Sequence, residues 1–523
     1  MKLINRKSPW IVFIFSILIC LSFSGLYPIY ILDEARNSEA AREMLASKDF
    51  IVPYFNGQLR TDKPPLHYFF MILGYKVFGI NAFGARFFSG LFGALTILIT
   101  FLSVRKYSDN KEAWIVTLIL LSSLFFVQEF HLAVPDPYLI FFISASLFSF
   151  FHFYKSKSKK WLWFAYAAIG FGILTKGPIA LVLPGLIIPA FLIFSNNFSF
   201  KTIFQFRPFI GLAIVLVIAT PWYYLVHGAT DGEWTKGFLF DHNISRFSSE
   251  KEGHGGLFFI TPLFVILGML PFSVFIIQGF DNAWKLRSQN NFLLFSFTTT
   301  AVTILFFSIA STKLPNYPMP CYPFIGVLIG NYLYRLSKKK SKSKSTTISL
   351  AALILISSVI PIAGFIALTL ENQFFEVRFI SLLLVITTIG TIVAFYFYGK
   401  ADLKKTFLSI AGSWTLTGLC LFGIIYPTLT AKSPVSMALK IVNSESKIIV
   451  YQRIDSAFPI NFNRVFEVTD KFIELESFLC HNPDGFILTN TRDKSAIKEF
   501  EKYTLILEQK ALFENHITRI YKK

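Results

Sequence analysis

Apolar runs of about twenty residues recur along most of this chain, the length needed to cross a hydrocarbon core of roughly 30 Å. They fall near 10–32, 83–104, 113–131, 137–153, 161–175, 178–195, 208–227, 257–279, 290–310, 318–335, 346–369, 377–398 and 405–428. This predicts a polytopic α-helical membrane protein with about thirteen spans, the 161–195 pair being separated only by a tight turn at Lys176, Gly177 and Pro178. The first run outlasts a signal-peptide core and lacks a small-residue cleavage site, so it reads as an anchor. Beyond about residue 433 the pattern changes. "KIIVYQ", "RVFEV", "GFILTN", "YTLILEQ" and "ITRIYKK" read as short strands, and "TDKFIELESFL" and "DKSAIKEFEK" as amphipathic helices. Strands alternating with helices predict a small α/β domain over 433–523, after a membrane domain over 1–432.

Basic residues then orient the spans. Lys2, Arg6 and Lys7, the 105–111 and 155–160 clusters, Lys201 and Arg207, Lys285 and Arg287, "RLSKKKSKSKS", and Lys400, Lys404 and Lys405 all fall on one side. The intervening short loops carry almost none, which predicts a cytoplasmic N-terminus and an extracytoplasmic tail. Three outer pieces are sizeable: 33–82, 228–256 and the tail. Composition agrees, with 54% hydrophobic and 15% charged residues, well below the roughly 25% charge of soluble domains. Basic loops facing an anionic leaflet account for the net charge of +19, so no nucleic-acid partner is implied. Cys20, Cys321, Cys420 and Cys480 show neither metal-ligand nor disulfide spacing.

The densest mixed charge lies directly after the first span, in "ILDEARNSEAAREMLASKDFIVPYFNGQLRTDKPPLHYFF", 31–70. Its first part reads as an amphipathic interfacial helix, with Ala40, Ala41, Met44 and Leu45 on one face and Glu39, Arg42 and Glu43 on a wet one. A second interfacial helix begins at "TDKPPLHYFF", where Asp62 is placed to cap it. Asp33 and Arg36, three apart, share a face.

Other outer turns bring further charge to the same level: Asp136 in "HLAVPDPYL", Lys176 in "LTKGP", Lys313 and Tyr317 in "STKLPNYPMP", and His254 in "KEGHGG". Singly, each has a plain structural role, as a turn residue, a cap, a snorkelling lysine or an interfacial aromatic. Their convergence is what points to function, because charge at the hydrocarbon boundary is costly unless paired or used. Cations there would bind a phosphate at a lipid head group, and a carboxylate would orient or deprotonate an acceptor. Sugar transfer from a polyprenyl phosphate needs such a set, and it needs no nucleotide-binding motif.

The blocks "LDEAR…AREMLASKDFIVPYFNGQLRTDKPPLHY", "ARFFSGLFGAL", "PDPYL", "TKGPIA", "GHGG" and "KLPNYPMP" resemble the lipid A aminoarabinose transferase branch of the GT-C glycosyltransferases, relatives of the protein O-mannosyltransferases. The resemblance covers the N-terminal half and, broadly, the thirteen-span plan. It implies an inverting, inner-membrane glycosyltransferase using an undecaprenyl-phosphate-linked sugar, with lipid A phosphate as the leading acceptor. By the same resemblance Asp33 and Asp136 are the acidic positions tied to catalysis, with Asp62 as a third. Arg36, Lys63, Lys176 and Tyr317 belong around the donor phosphate by that resemblance, and Lys313 joins them as a candidate by its position at the same level. Asp62 and His254 are candidate ligands for a divalent ion, two ligands being few. A protein or surface polysaccharide is the alternative acceptor. A non-enzymatic flippase is a further reading, disfavoured because the ionisable residues gather at span ends rather than mid-bilayer.

Overall fold

The computed structural model describes residues 2–245, 255–339, 342–443, 445–512 and 514–523. Helices occupy each predicted span. Among the described residues, seven are long and apolar enough to cross a membrane, or eight when one bent pair is a single span, and Lys7–Cys20, Leu66–Phe78 and Ile179–Phe194 are shorter apolar helices. The chain is thus a mainly helical, multi-pass membrane protein.

Three predicted spans differ in detail, each for a local reason. The first helix stops at Cys20 rather than running to residue 32. The Ser22 and Ser24 hydroxyls donate to the Ile19 and Leu21 carbonyls, and Phe23 takes a left-handed φ of 58°, so the ladder is broken before Gly25 and Pro28. The 113–131 run divides at Ser123 into Asn110–Ser122 and Leu124–Glu129, where the hydroxyls of Ser122 and Ser123 bond back to the preceding turn. The 257–279 run becomes Ile260–Gly268 and Phe272–Lys285, bent by 115° at Met269–Pro271.

The tight turn between Lys159–Lys176 and Ile179–Phe194 is made by Gly177, at φ 84°, a conformation an L side chain resists. Gly74 serves a different end. A Cβ there would lie 2.1 Å from the Gly84 carbonyl oxygen, so Leu66–Phe78 crosses Ala82–Tyr107 backbone against backbone.

Between the first span and that crossing lies helix Leu32–Ser47, then a two-residue hairpin of β1 (Tyr54–Phe55) and β2 (Gln58–Leu59). Asn56 and Gly57 supply its turn with φ of 49° and 73°. The Asn-Gly pair is a strong hairpin signal that the hydrophobic pattern alone passed over.

In the tail, all five predicted strands form: β3 (Ile448–Tyr451), β4 (Glu467–Thr469), β5 (Phe486–Thr489), β6 (Thr504–Lys510) and β7 (Ile517–Lys522). They make one sheet in the order β4-β3-β5-β7-β6, with β3 parallel to β4 and β5, and β7 antiparallel to β5 and β6. Phe472–His481 and Lys494–Glu499 are the two predicted helices. Pro434–Ile441 and Ala457–Phe462 are additional.

The tail corrects the reading of Leu32–Ser47. Ala457–Phe462 packs on that helix, and Ala40, Ala41, Met44, Phe458 and Phe462 share one buried cluster. The supposed wet face is buried too: Glu39 is 0%, Arg42 7% and Glu43 9% exposed. Glu39 and Arg42 satisfy each other at 2.6 and 2.7 Å, while the Glu43 carboxylate accepts the Asn56 and Gly57 amides. Periodicity could not reveal this, because the partners lie outside the helix: Tyr75 beside Glu39 and Arg42, and the hairpin turn of Asn56 and Gly57 on Glu43.

Candidate active site

The predicted site residues come mostly, but not all, to one place. The segment leaving β2 is fixed by Arg60, which is 5% exposed and donates to Tyr68 Oη at 3.2 Å and Asn37 Oδ1 at 3.1 Å. Its carbonyl accepts from Trp234 Nε1 at 2.9 Å, so the 228–245 segment is anchored to the segment after the first span. The remaining Arg60 nitrogen meets Asp62 Oδ2 at 2.8 Å, and Asp62 Oδ1 meets His242 Nε2 at 2.7 Å. Asp62 is therefore not a helix cap; Pro65 takes the N-cap position of Leu66–Phe78 without a side-chain bond. Burial works against the Asp62 charge, but His242 and Arg60 outweigh it and hold its carboxyl far below the usual range.

Next to it, Lys63 is buried at the wall of a cavity of about 560 Å³. The cavity's polar end is formed by Asp62, Lys63, Asp136, Lys176, His242 and Tyr317, and apolar residues such as Leu139, Val182 and Phe307 continue it. Asp136 begins helix Asp136–Ser156, and its Oδ1 accepts from Lys176 Nζ at 2.5 Å. The same ammonium stands 5.1 Å from the centre of the Tyr317 ring. Gly177 makes this possible by ending the helix directly after Lys176.

Asp33 opens helix Leu32–Ser47. It is accessible to solvent, yet sits in a pit of protein whose nearest charges are Lys63, Arg60, Asp62 and Lys176. Desolvation raises its pKa, and Lys63 with Arg60 more than reverses that, so the carboxyl is held below its ordinary value. His67, fully buried one helical turn after Lys63, is pushed well below the usual imidazole range by burial and then by Lys63 and Arg60. It is a neutral group beneath a charged floor.

Two predicted phosphate ligands are placed otherwise. Arg36 faces the tail, its Nε donating to Ser456 Oγ at 3.3 Å and its guanidinium lying 5.9 Å from the Phe55 ring centre. It does not share a partner with Asp33. Lys313 is buried with Nζ donating to the Ala310 carbonyl at 2.6 Å, in a turn whose Ala310 and Thr312 line the cavity. His254 lies outside the described residues. The histidine found on Asp62 is His242, missed because it sits mid-loop without a motif. Glu129 was also missed. It is 4% exposed, beside Asp136, Lys176 and Asn316, and its signal was an acidic residue inside an apolar run.

A metal fits poorly at Asp62. Both its oxygens are taken by Arg60 and His242, and among the described residues no three His, Cys, Asp or Glu side chains cluster as ligands.

The cavity thus sets two lysines, two carboxylates, a histidine and a tyrosine against an apolar interior. Residues 62–225 match the family described as dolichyl-phosphate-mannose-protein mannosyltransferase. An uncharacterized protein of Aquifex aeolicus is 30% identical over 340 residues, 63% of this chain and 74% of the relative. The undecaprenyl phosphate-alpha-4-amino-4-deoxy-L-arabinose arabinosyl transferase of Erwinia tasmaniensis is 26% identical over 506 residues, 92% of this chain and 86% of that one. The chain belongs to the GT-C glycosyltransferase family of aminoarabinose and protein O-mannosyltransferase type. Its fold agrees with the crystal structure of ArnT from Cupriavidus metallidurans bound to undecaprenyl phosphate, at a TM-score of 0.80, 20% identity and 98% coverage of both chains. Against a second such arabinosyl transferase, from Pseudomonas fluorescens, the identity is 27%, and the chain spans 65% of that relative's length and 69% of its own. The GT-C family membership thus rests on sequence, and the GT-C fold on the structural likeness.

Proposed function

We infer that this GT-C protein transfers a sugar from a polyprenyl phosphate, of the undecaprenyl type, to an acceptor on the outer side of the membrane. The observation that carries the reading is the cavity that joins Lys63, Lys176 and Tyr317 to an apolar interior. Such a cavity suits a phosphate head attached to a long hydrocarbon. The names of the relatives and of the structural neighbour point to the same donor class.

In the proposed reaction an acceptor oxygen attacks the anomeric carbon from the face opposite the phosphate. The bond from that carbon to the phosphate oxygen breaks, and polyprenyl phosphate leaves with its electron pair. Lys63 and Lys176 stabilise the negative charge that grows on the leaving group. Asp33, held ionised by Lys63 and Arg60, orients the acceptor, and takes its proton if that acceptor is a hydroxyl. Asp136 sets the position of Lys176, and Asp62 that of Arg60 and His242. A lipid A phosphate is the leading acceptor and arrives ionised, so no base is required for it; a protein or polysaccharide hydroxyl is the alternative.

The thirteen-span plan, the cytoplasmic N-terminus, and the division into a membrane domain over 1–432 and an extracytoplasmic domain over 433–523 belong to this proposal. Mass spectrometry of lipid A from cells with and without the gene tests it, because it reports acceptor and sugar together. A pentose or hexose increment lost with the gene supports lipid A. Unchanged lipid A rejects that acceptor, and purified protein that transfers no sugar from a polyprenyl phosphate in detergent rejects the donor chemistry.

A further inference from the structure

At Glu34, the residue after Asp33, one buried guanidinium joins separate stretches of chain. Arg86, 1% exposed on helix Ala82–Tyr107, donates Nε to Glu34 Oε1 at 2.7 Å and Nη2 to Glu34 Oε2 at 2.9 Å. Its other bonds go to backbone. Nη1 reaches the Ser24 carbonyl at 2.7 Å and that of Tyr27 at 3.0 Å, and Nη2 reaches the Pro28 carbonyl at 3.1 Å. The Tyr27 ring lies 4.2 Å from the guanidinium. The stretch that leaves the first span is thereby tied to the helix on which Asp33 sits.

Glu34 carries the link further. It is 1% exposed, and its Oε1 also accepts the Ala133 amide at 2.8 Å. Ala133 stands three residues before Asp136, with Val134 and Pro135 between them. Neither Glu34 nor Arg86 lines the large cavity; both line a separate small one with Tyr27, His131 and Tyr426. An ion pair built only for stability would not need to be here. A well-packed apolar pair of similar volume is often as stable in a protein interior, or more so. What an apolar pair lacks is the directional set of bonds that fixes Asp33 and the Asp136 turn at one separation.

We propose that Glu34 and Arg86 are positioning residues that lock the two acidic turns of the site, at Asp33 and at Asp136, into register through the Ala133 amide. The proposal rests on the reading of those acids as transferase groups. Displacement of a reacting group by about 1 Å costs on the order of 100-fold in rate, so a loosened brace shows in turnover before it shows in binding.

The test uses full-length protein in detergent with polyprenyl-phosphate sugar as donor, comparing wild type with Glu34→Gln, Arg86→Lys, and the double variant Glu34→Leu with Arg86→Met. The double variant guards against misfolding, since it leaves no buried charge without a partner. Hydrogen exchange is followed over 29–36 and 131–136 in the same samples. In the variants kcat is expected to fall about 10- to 100-fold with the donor KM within about twofold, while exchange quickens in both segments together. A folded double variant with wild-type kcat overturns the proposal. So does faster exchange in only one of the two segments. The exchange arm needs no turnover, so a wild type that transfers no sugar rejects the transferase reading and leaves the coupling of the two turns to be decided by exchange alone.

Discussion

The two halves of the segment that follows the first span carry similar charge and use it in opposite ways. In helix Leu32–Ser47, Glu39 pairs with Arg42, Glu43 with the Asn56 and Gly57 amides of the hairpin, and Arg36 with Ser456 of the tail. These groups are consumed in holding two parts of the protein together. In the segment from Arg60 to His67, Asp62 and Lys63 instead face a cavity, and their field reaches Asp33. Local sequence looks alike in both halves. What separates them is whether another part of the chain covers the charge, which is a property of the fold and not of the segment.

The sharpest way to test that contrast is to remove one group from the cavity side. Asp33→Asn and Lys63→Ala are each expected to lower sugar transfer about 10²–10⁴-fold with the protein still folded, measured as turnover in detergent. Wild-type rates in both would move the site elsewhere. On the covered side the effect is on stability. Arg42→Ala removes the partner of Glu39, whose pKa burial already raises to about 7, so the carboxyl takes up a proton and stays buried with its hydrogen bonds lost, at an expected cost of about 1–3 kcal/mol in thermal unfolding, with kcat per folded molecule little changed. Adding Glu39→Leu to that variant is expected to recover most of the loss.

A similar effect follows at the joint between hairpin and tail. Asn56 Nδ2 donates to the Phe466 carbonyl at 3.0 Å, and its Oδ1 accepts the Phe466 amide at 2.7 Å. Asn56→Ala leaves two buried backbone groups unpaired and also forces a left-handed φ on alanine. The expected cost is about 1–3 kcal/mol, read as a lower unfolding temperature. The smallest effect is one of pH. His516 is pulled down by burial, but bonds to Asp455 and Glu514 raise its pKa to about 9. A histidine raised in the folded state stabilises fully below its unfolded value near 6.5 and loses that contribution as pH rises through about 9. Neighbouring Leu512 donates its amide to Tyr30 Oη at 2.7 Å, so the tail's grip on the stretch before Asp33 is expected to slacken over that range. Exchange of residues 29–36 at pH 6 and pH 9.5, corrected for intrinsic rate, measures it, and His516→Gln is expected to flatten the difference.

Much of this was legible in advance, where a signal was local or strongly periodic. Apolar runs gave most of the helices, short runs rich in β-branched and aromatic residues the five tail strands, and charge at span ends the group of Asp33, Asp62, Lys63, Asp136, Lys176 and Tyr317. The failures share one cause. Arg36 was grouped with Asp33 because they lie three apart on a helix, and it turned to Ser456 because the tail supplied a partner. Glu39, Arg42 and Glu43 were read as wet because amphipathic periodicity distinguishes faces but cannot tell which face meets water and which meets protein. Asp62 was read as a cap because its position allowed it, whereas Arg60 and His242 bind it more strongly than a free amide would.

By itself, then, the sequence determined that this chain lives in a membrane, where most of its helices and the five tail strands lie, and that ionisable residues gather at the ends of its spans. Those properties depend on hydrophobicity and short-range geometry, which each segment carries with it. Only the tertiary structure decided which charges meet a cavity and which are spent on one another, since burial and ion pairing depend on distances between residues far apart in the chain. The Glu34–Arg86 pair shows the distinction most plainly: 52 residues separate its members, and neither sequence neighbourhood names the other.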